Sequence, residues 1–298
     1  MDVVLSLITA PSGYVLGPRD VAKAREFLGN PGIPHWLAPG LACDIPFHLN
    51  PNESAEPILL GLRESFADSA VDLNVLNAEG RRKKLLVADM DSTIIGQECV
   101  DELADFVGQR ARVSAITERA MRGELVFEDA LRERVALLEG LETNTLEAVF
   151  STRIHLNPGA KALTATMRAQ GAYTALVSGG FTFFTSRVAR IAGFDMHQSN
   201  ELLMENGKCT GKVGEPILGR DAKLKALIDL RKRFSLNASE TLGVGDGAND
   251  LAMIEKAGLG VAYHAKPVVA EKAKARLDHA DLTGLLYLQG YHAGEIIP

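Results

Sequence analysis

The chain holds only three cysteines in 298 residues, Cys43, Cys99 and Cys209, and no two of them form a C-x-x-C pair. So sparse and scattered a set fits neither a disulfide framework nor a zinc cluster, and it points to a reducing compartment. No apolar run reaches the roughly 18 residues that a membrane-spanning helix needs. The opening stretch MDVVLSLITAPSG lacks the basic region of a secretory leader, so a cytoplasmic location is expected. Cations are not in excess either: 32 lysines and arginines stand against 38 acids, a net charge of −6, which disfavours nucleic acid as a partner. There is no internal repeat and no low-complexity tract. What is present is ordinary for a folded globular protein, with 46% hydrophobic and 23% charged residues and a mean hydropathy of +0.03. At roughly 150 residues per domain, the length sets an expectation of two domains.

Six of the 12 prolines fall between Asn30 and Pro57, and a basic cluster, Arg81 to Lys84, precedes an apolar run. The main boundary is therefore placed near residue 80. Before it, Val3 to Thr9 alternates as a strand, Asp20 to Leu28 and Glu56 to Ala67 read as helices, and Val71 to Leu76 reads as a strand. With a hairpin somewhere within Trp36 to Phe47, where proline and glycine interrupt the pattern, these make a βαββαβ outline. After residue 80, Leu85 to Asp89, Tyr173 to Ser178, Thr241 to Gly245 and Leu259 to Tyr263 are short apolar runs suited to buried parallel strands. Helical spacings lie between them, so the expected core is α/β, a doubly wound parallel sheet. Residues 101–150 break the alternation. They carry helical spacing alone (Leu103, Phe106, Val107; Val113, Ile116; Leu131, Val135, Leu138) and read as a helical insertion after the first core strand. Asn206-Gly207 marks a type I′ hairpin.

Two acidic clusters follow apolar strands. The first is Asp89-Met90-Asp91-Ser92-Thr93, and taken alone it reads equally well as turn-forming or helix-capping acids. The second, Gly243-Val244-Gly245-Asp246-Gly247-Ala248-Asn249-Asp250, happens to match a dinucleotide fingerprint, but Asp246 would set a negative charge beside the pyrophosphate. Carboxylates at two adjacent strand ends instead suit a Mg²⁺ ion. Ser178-Gly179-Gly180, read as a strand end that begins a helix, offers a hydroxyl and N–H groups to an anion. Lys223, at a helix start after Asp221, offers a cation. Individually the serine is as readily an N-cap and the lysine a surface residue.

The order D-x-D-x-T, S-G-G, K, G-D-G-x-N-D resembles that of the haloacid dehalogenase (HAD) superfamily, and within it the phosphoserine phosphatase family, over about residues 85–290. The stretches IIGQECVDELA after the first motif and MRGELVFEDALRERVALLEG (Met121 to Gly140) resemble that family too. The resemblance implies a HAD-like core at 81–298 with a helical cap at about 101–155. It also implies Mg²⁺-dependent hydrolysis of O-phospho-L-serine to L-serine and phosphate through an aspartyl-phosphate, the last step of serine biosynthesis. Asp89 is then the nucleophile and Asp91 the general acid and base. Thr93, Ser178, Gly179, Lys223 and Asn249 hold phosphate, while Asp89, Asp91 through its carbonyl, and Asp246 hold the metal, with Asp250 in support. Glu98, Met121, Phe127 and Arg134 form the substrate pocket. On spacing alone Glu98 and Arg134 read as surface charges and Phe127 as core.

The chemistry agrees with these roles. A carboxylate nucleophile splits one hard hydrolysis into two easier displacements. Serine's alkoxide leaves poorly and needs an acid beside it, which loss of a halide would not. Arginine's planar fork suits a carboxylate. The N-terminal 80 residues resemble ACT-like regulatory modules, which points to pairing in a homodimer or to serine sensing. Two alternatives stand: a phosphotransferase that passes the phosphoryl group to an acceptor alcohol such as homoserine, or a phosphatase on another small phosphomonoester. A non-catalytic amino-acid sensor would have no use for the set Asp89, Asp91, Lys223 and Asp246.

Overall fold

The computed structural model describes residues 1–50, 53–121 and 124–298, and the side chain of Met121 lies outside the described part. The N-terminal unit runs β1 (Asp2–Ile8), α1 (Pro18–Arg25), β2 (His35–Ala38), β3 (Ala42–His48), α2 (Glu56–Ser65) and β4 (Asp72–Asn77). Its strands form one antiparallel sheet in the order β2-β3-β1-β4. Proline suits the first position of α1, where its missing N–H costs nothing, and the Asp20 carboxylate accepts the Gly17 N–H at 2.7 Å to close that end.

The strands of this unit are apolar on one face and mixed on the other, because side chains alternate. Val3, Leu5 and Leu7 pack with Ile45, Phe47, Val21, Leu59 and Leu62 beneath the two helices. On the opposite side Ile8, Leu37, Ala38 and Ala42 join the core of the second unit. Polar groups fix the junction. The Asn74 carboxamide donates to the Arg276 carbonyl at 2.9 Å and accepts the Arg276 N–H at 2.8 Å. Asp72 accepts N–H groups from Asp278 at 2.7 Å and Ala280 at 2.8 Å. Arg81 donates to Asp44 and to the carbonyls of Leu288 and Tyr287.

The second unit begins with β5 (Leu85–Ala88), followed by four cap helices: α3 (Cys99–Phe106), α4 (Arg110–Met121), α5 (Phe127–Ala136) and α6 (Thr143–Arg153). Next come α7 (Ala160–Ala169), β6 (Tyr173–Phe181), α8 (Thr182–Ala192), β7 (Met196–Asn200), and the hairpin β8 (Leu202–Glu205) and β9 (Lys208–Val213). The chain ends with α9 (Ala222–Arg233), β10 (Thr241–Gly245), α10 (Leu251–Lys256), β11 (Leu259–Tyr263), α11 (Pro267–Ala270), β12 (Ala275–Leu277) and α12 (Gly284–Leu288). Six strands form a parallel sheet in the order β12-β11-β10-β5-β6-β7. Its helices lie on both faces: Leu85 and Val87 turn toward α9 and α10, Leu86 and Ala88 toward α7 and α8. The chain moves from β5 outward through β6 to β7, then returns to β10 and moves the other way. The carboxyl ends of β5 and β10 therefore flank the point where the winding reverses, where ligands of such sheets bind.

Asn206 and Gly207 both take positive φ, 49° and 76°, as a type I′ turn requires. The hairpin docks on the cap, with Cys209 exchanging backbone hydrogen bonds with Gly140 and Leu141 at 2.8 and 2.7 Å. One element differs from the sequence reading. Ser178-Gly179-Gly180 does not open a helix: β6 continues through it to Phe181, with a register irregularity against β7, and α8 starts at Thr182. Small residues let the strand bulge without losing its course.

Candidate active site

Asp89 follows β5 directly, and its N–H donates to the Val244 carbonyl of β10 at 3.0 Å. Residues 90–94 then form a wide turn closed by the Ile95 N–H on the Met90 carbonyl at 3.0 Å. Met90, Thr93 and Ile94 are buried within it. Ser92 reverses the chain in the left-handed region at φ 54°, a conformation that costs a non-glycine residue energy and that clusters at functional turns. Asp89 and Asp91 consequently line the same cavity, of about 140 Å³, together with Gly179, Asp246 and Asn249.

Lys223 is the electrostatic centre. It lies in the first turn of α9 and is 4% exposed; its Nζ sits 2.6 Å from Asp89 Oδ2 and 2.5 Å from Asp250 Oδ1. A buried ammonium survives only with such partners. Burial pushes Lys223 down, but the carboxylates of Asp250 and Asp89 more than reverse this, so it stays charged. Asp250 also accepts the Gly247 N–H at 3.0 Å. A Cβ on Gly245 would come within 2.2 Å of the Asp250 carboxyl carbon. The glycine of that motif is thus explained by a carboxylate packed against backbone rather than by a nucleotide.

Asp89, Asp246 and Asp250 bring carboxylate oxygens within 4.8 Å of one another. Burial, then the negative charge of Asp250, raises Asp89 well above the usual carboxylate range. Burial, then Asp250 and Glu98, pushes Asp246 up to about 6. Lys223 contacts Asp89 and Asp250 but not Asp246, and three crowded carboxylates supply the oxygen donors and negative charge that fit a hard cation. Thr93 is fully buried and is not among the residues that line the cavity; its hydroxyl has no hydrogen-bond partner among the described residues.

Asp91 turns away from this cluster. Its Oδ1 accepts the Cys99 N–H at 3.1 Å and its Oδ2 accepts the Ser178 hydroxyl at 3.3 Å. Burial, reinforced by Glu98, pushes it up to about 7, suited to giving and taking a proton near neutrality. Ser178 Oγ in turn accepts the Gly180 N–H at 2.9 Å. Cys99, next to Glu98, is buried, and burial raises its thiol, so it packs rather than reacts.

The cap supplies the remaining wall. Phe127, Leu131 and Arg134 recur at helical spacing on one face of α5 and line the cavity opposite the strand ends. Glu98, at the start of α3, accepts the Ser92 hydroxyl at 2.7 Å. Arg134 donates from Nε to the Ala130 carbonyl at 3.2 Å, and burial lowers it from the ordinary arginine value. A Cβ on Gly179 would lie 3.1 Å from the Phe127 ring, so the glycine leaves room for the cap to close on the core. Gly180 and Gly247, part of the S-G-G and G-D-G-x-N-D motifs, line the cavity too, and lining residues that the sequence reading missed are Val100, Leu131 and Lys266. Leu131 was accessible from its spacing to Phe127 and Arg134. Lys266, whose N–H donates to the Asp246 carbonyl at 3.1 Å, carried no such signal.

The model of the family described as haloacid dehalogenase-like hydrolase matches residues 86–255. The chain belongs to that family. A phosphoserine phosphatase of Polaromonas sp. is 45% identical over 210 residues, 69% of this chain and 89% of that protein. A HAD-family hydrolase from Salmonella enterica subsp. enterica serovar Typhi aligns with a TM-score of 0.84 at 28% identity, covering 96% of this chain and 98% of that one. A structure described as a phospho-aspartyl intermediate analogue of phosphoserine phosphatase aligns with a TM-score of 0.64 at 38% identity, over 69% and 98% of the two chains. The protein is accordingly a phosphatase of the HAD type, with an acidic cluster fit for the metal on which such enzymes depend. Among the described residues no helix is long and apolar enough to cross a membrane.

Proposed function

We propose that this enzyme hydrolyses O-phospho-L-serine to L-serine and phosphate, using Mg²⁺, as the closing step of serine biosynthesis. The observation that carries the reading is the pairing, in one cavity, of the Asp89–Lys223 contact at 2.6 Å with the cap residues Glu98 and Arg134. The first supplies phosphoryl-transfer chemistry; the second supplies one anion and one cation for the two charged groups of an amino acid. The relatives described as phosphoserine phosphatases support the same substrate.

In this reading the Asp89 carboxylate attacks phosphorus and forms an aspartyl-phosphate as the P–O bond to serine breaks. Asp91 gives its proton to the departing alkoxide oxygen, then takes one from the water that attacks the phosphorus of the aspartyl-phosphate. That second displacement releases phosphate and restores the Asp89 carboxylate. Lys223, the Ser178 hydroxyl, the Thr93 hydroxyl and the Gly179 backbone hold phosphoryl oxygens, and Asn249 orients phosphate or water. The Asp89 and Asp246 carboxylates and the Asp91 carbonyl, with Asp250 in support, would hold Mg²⁺, which would supply positive charge to the transferring group. Arg134 binds the substrate carboxylate and Glu98 its ammonium. Phe127 closes the apolar side, which excludes water.

Residues 1–80 form an ACT-like regulatory or dimerisation domain and 81–298 the catalytic one; the antiparallel β2-β3-β1-β4 sheet with two helices on one face supports this division. Three buried free cysteines support a cytoplasmic setting. Phosphate release from a panel of phosphomonoesters, with and without Mg²⁺, tests metal, reaction and substrate together. Preference for phosphoethanolamine over phosphoserine would overturn the assignment.

A further inference from the structure

A second crevice, of about 150 Å³, opens at the junction of the two units, away from the catalytic cavity. Arg63 on α2 and Arg276 on β12 both line it, with Ser69 and His279 beside them. Arg276 has a counter-charge, since its Nε donates to Asp278 Oδ2 at 2.9 Å. Among the described residues Arg63 forms no ion pair. A guanidinium carries five N–H donors, yet the Nε of Arg63 is buried with no hydrogen-bond partner among the described residues. Burial, then the positive charge of Arg276, lowers Arg63 from the ordinary arginine value, and the negative charges of Glu56 and Asp278 oppose this only in part.

The carboxylates nearby are already engaged. Asp72 lines the crevice, but it accepts the N–H groups of Asp278 at 2.7 Å, His279 at 3.2 Å and Ala280 at 2.8 Å. Asp278 is held by Arg276. Asp278 lines the crevice as well, so its two arginines face two carboxylates, but Asp278 is taken up by Arg276 and Asp72 by backbone N–H groups, which leaves the buried Arg63 donor unused.

We propose that this crevice binds a small oxyanion, phosphate or carboxylate, between Arg63 and Arg276. Such a ligand touches α2 of the N-terminal unit and β12 of the catalytic unit at once. It therefore adds a bridge beside the Asn74–Arg276 and Asp72 contacts, and its occupancy clamps the two units together. A guanidinium such as those of Arg63 and Arg276 is a planar fork that can bind a carboxylate or phosphate in two bonds.

The test is an amide NMR titration of the full chain with sodium phosphate, with sodium acetate, and with sodium chloride at matched ionic strength. The amides of Ser69, Arg276 and His279 shift saturably with phosphate or acetate and not with chloride, and the two arms tell which oxyanion is preferred. Arg63→Gln weakens the response at least about tenfold and leaves turnover in anion-free buffer unchanged, because Arg63 lies outside the catalytic cavity. Arg276→Gln weakens the response independently. No saturable shift with either oxyanion, an equal response to chloride, or full binding retained in Arg63→Gln would overturn the proposal.

Discussion

The Asp89 carboxylate and the Lys223 ammonium stand 2.6 Å apart at 6% and 5% side-chain exposure, on elements separated by the whole cap and half the sheet. Their closeness bears on the charge of Asp89, the proposed nucleophile. Lys223 favours an ionised Asp89 against burial and the repulsion of Asp250. Removing the cation or the carboxylate should stop the chemistry by different routes.

Asp89→Asn keeps the volume and the turn but removes the attacking charge. Turnover of phosphoserine should be abolished and no acid-stable, base-labile phosphoenzyme should form, while circular dichroism shows the fold retained. Substantial residual hydrolysis would rule out the nucleophile assignment.

Asp91→Asn should slow phosphoserine turnover by about 10²–10⁴-fold, the usual contribution of a positioned proton donor. With p-nitrophenyl phosphate, whose leaving group needs no proton, a burst of about one nitrophenol per enzyme should precede slow turnover. Absence of that burst, with both substrates equally slowed, would place Asp91 outside proton transfer.

Arg134→Ala should lower kcat/KM for phosphoserine by about 10- to 100-fold, the scale of one charged hydrogen-bonding partner. Phosphoethanolamine, which lacks the carboxylate, should lose far less. Equal losses on the two would refute the role of Arg134.

Metal binding should depend on pH through Asp246, held up at about 6 by burial and by the charges of Asp250 and Glu98. A raised carboxylate is protonated below that value, and a proton competes with the metal for the same oxygens. Calorimetric Mg²⁺ affinity should be flat above about pH 7 and fall roughly tenfold per unit below about 6. Chelation should remove activity and added Mg²⁺ restore it.

Gly245→Ala should destabilise the enzyme by about 1–3 kcal/mol, the range for overpacking, because the new methyl would meet the Asp250 carboxyl group at 2.2 Å. Activity should fall with it, since Asp250 also holds Lys223. A normal melting curve would show that the backbone yields there at no cost.

Legibility in the sequence followed the range of the interactions. The strands Thr241–Gly245 and Leu259–Tyr263 have the bounds their apolar runs suggest, since a strand buried on both faces is written as a continuous run. The short β2 was hard to see because Pro39 and Gly40 follow it at once and a bulge interrupts its pairing with β3. Ser178-Gly179-Gly180 misled, because glycines that end a strand and glycines that let it bulge look alike until the neighbouring β7 is in place. The partner of Asp91 was equally hidden. Local pattern cannot say that one carboxylate of a D-x-D pair faces a lysine while the other faces a serine.

By itself the sequence determined the doubly wound core, the inserted helices, the order of the four motifs and the chemical type of each candidate residue. These depend on periodicity and on residues close in the chain, where backbone geometry allows few outcomes. Only the tertiary structure decided that Asp89, Asp246 and Asp250 crowd around one point, that Lys223 is buried between two of them, and that Arg63 meets Arg276 across the junction of the two units. Those are contacts between residues far apart in the chain. Their electrostatics depends on burial and distance, neither of which exists before the sheet closes and the two units pack.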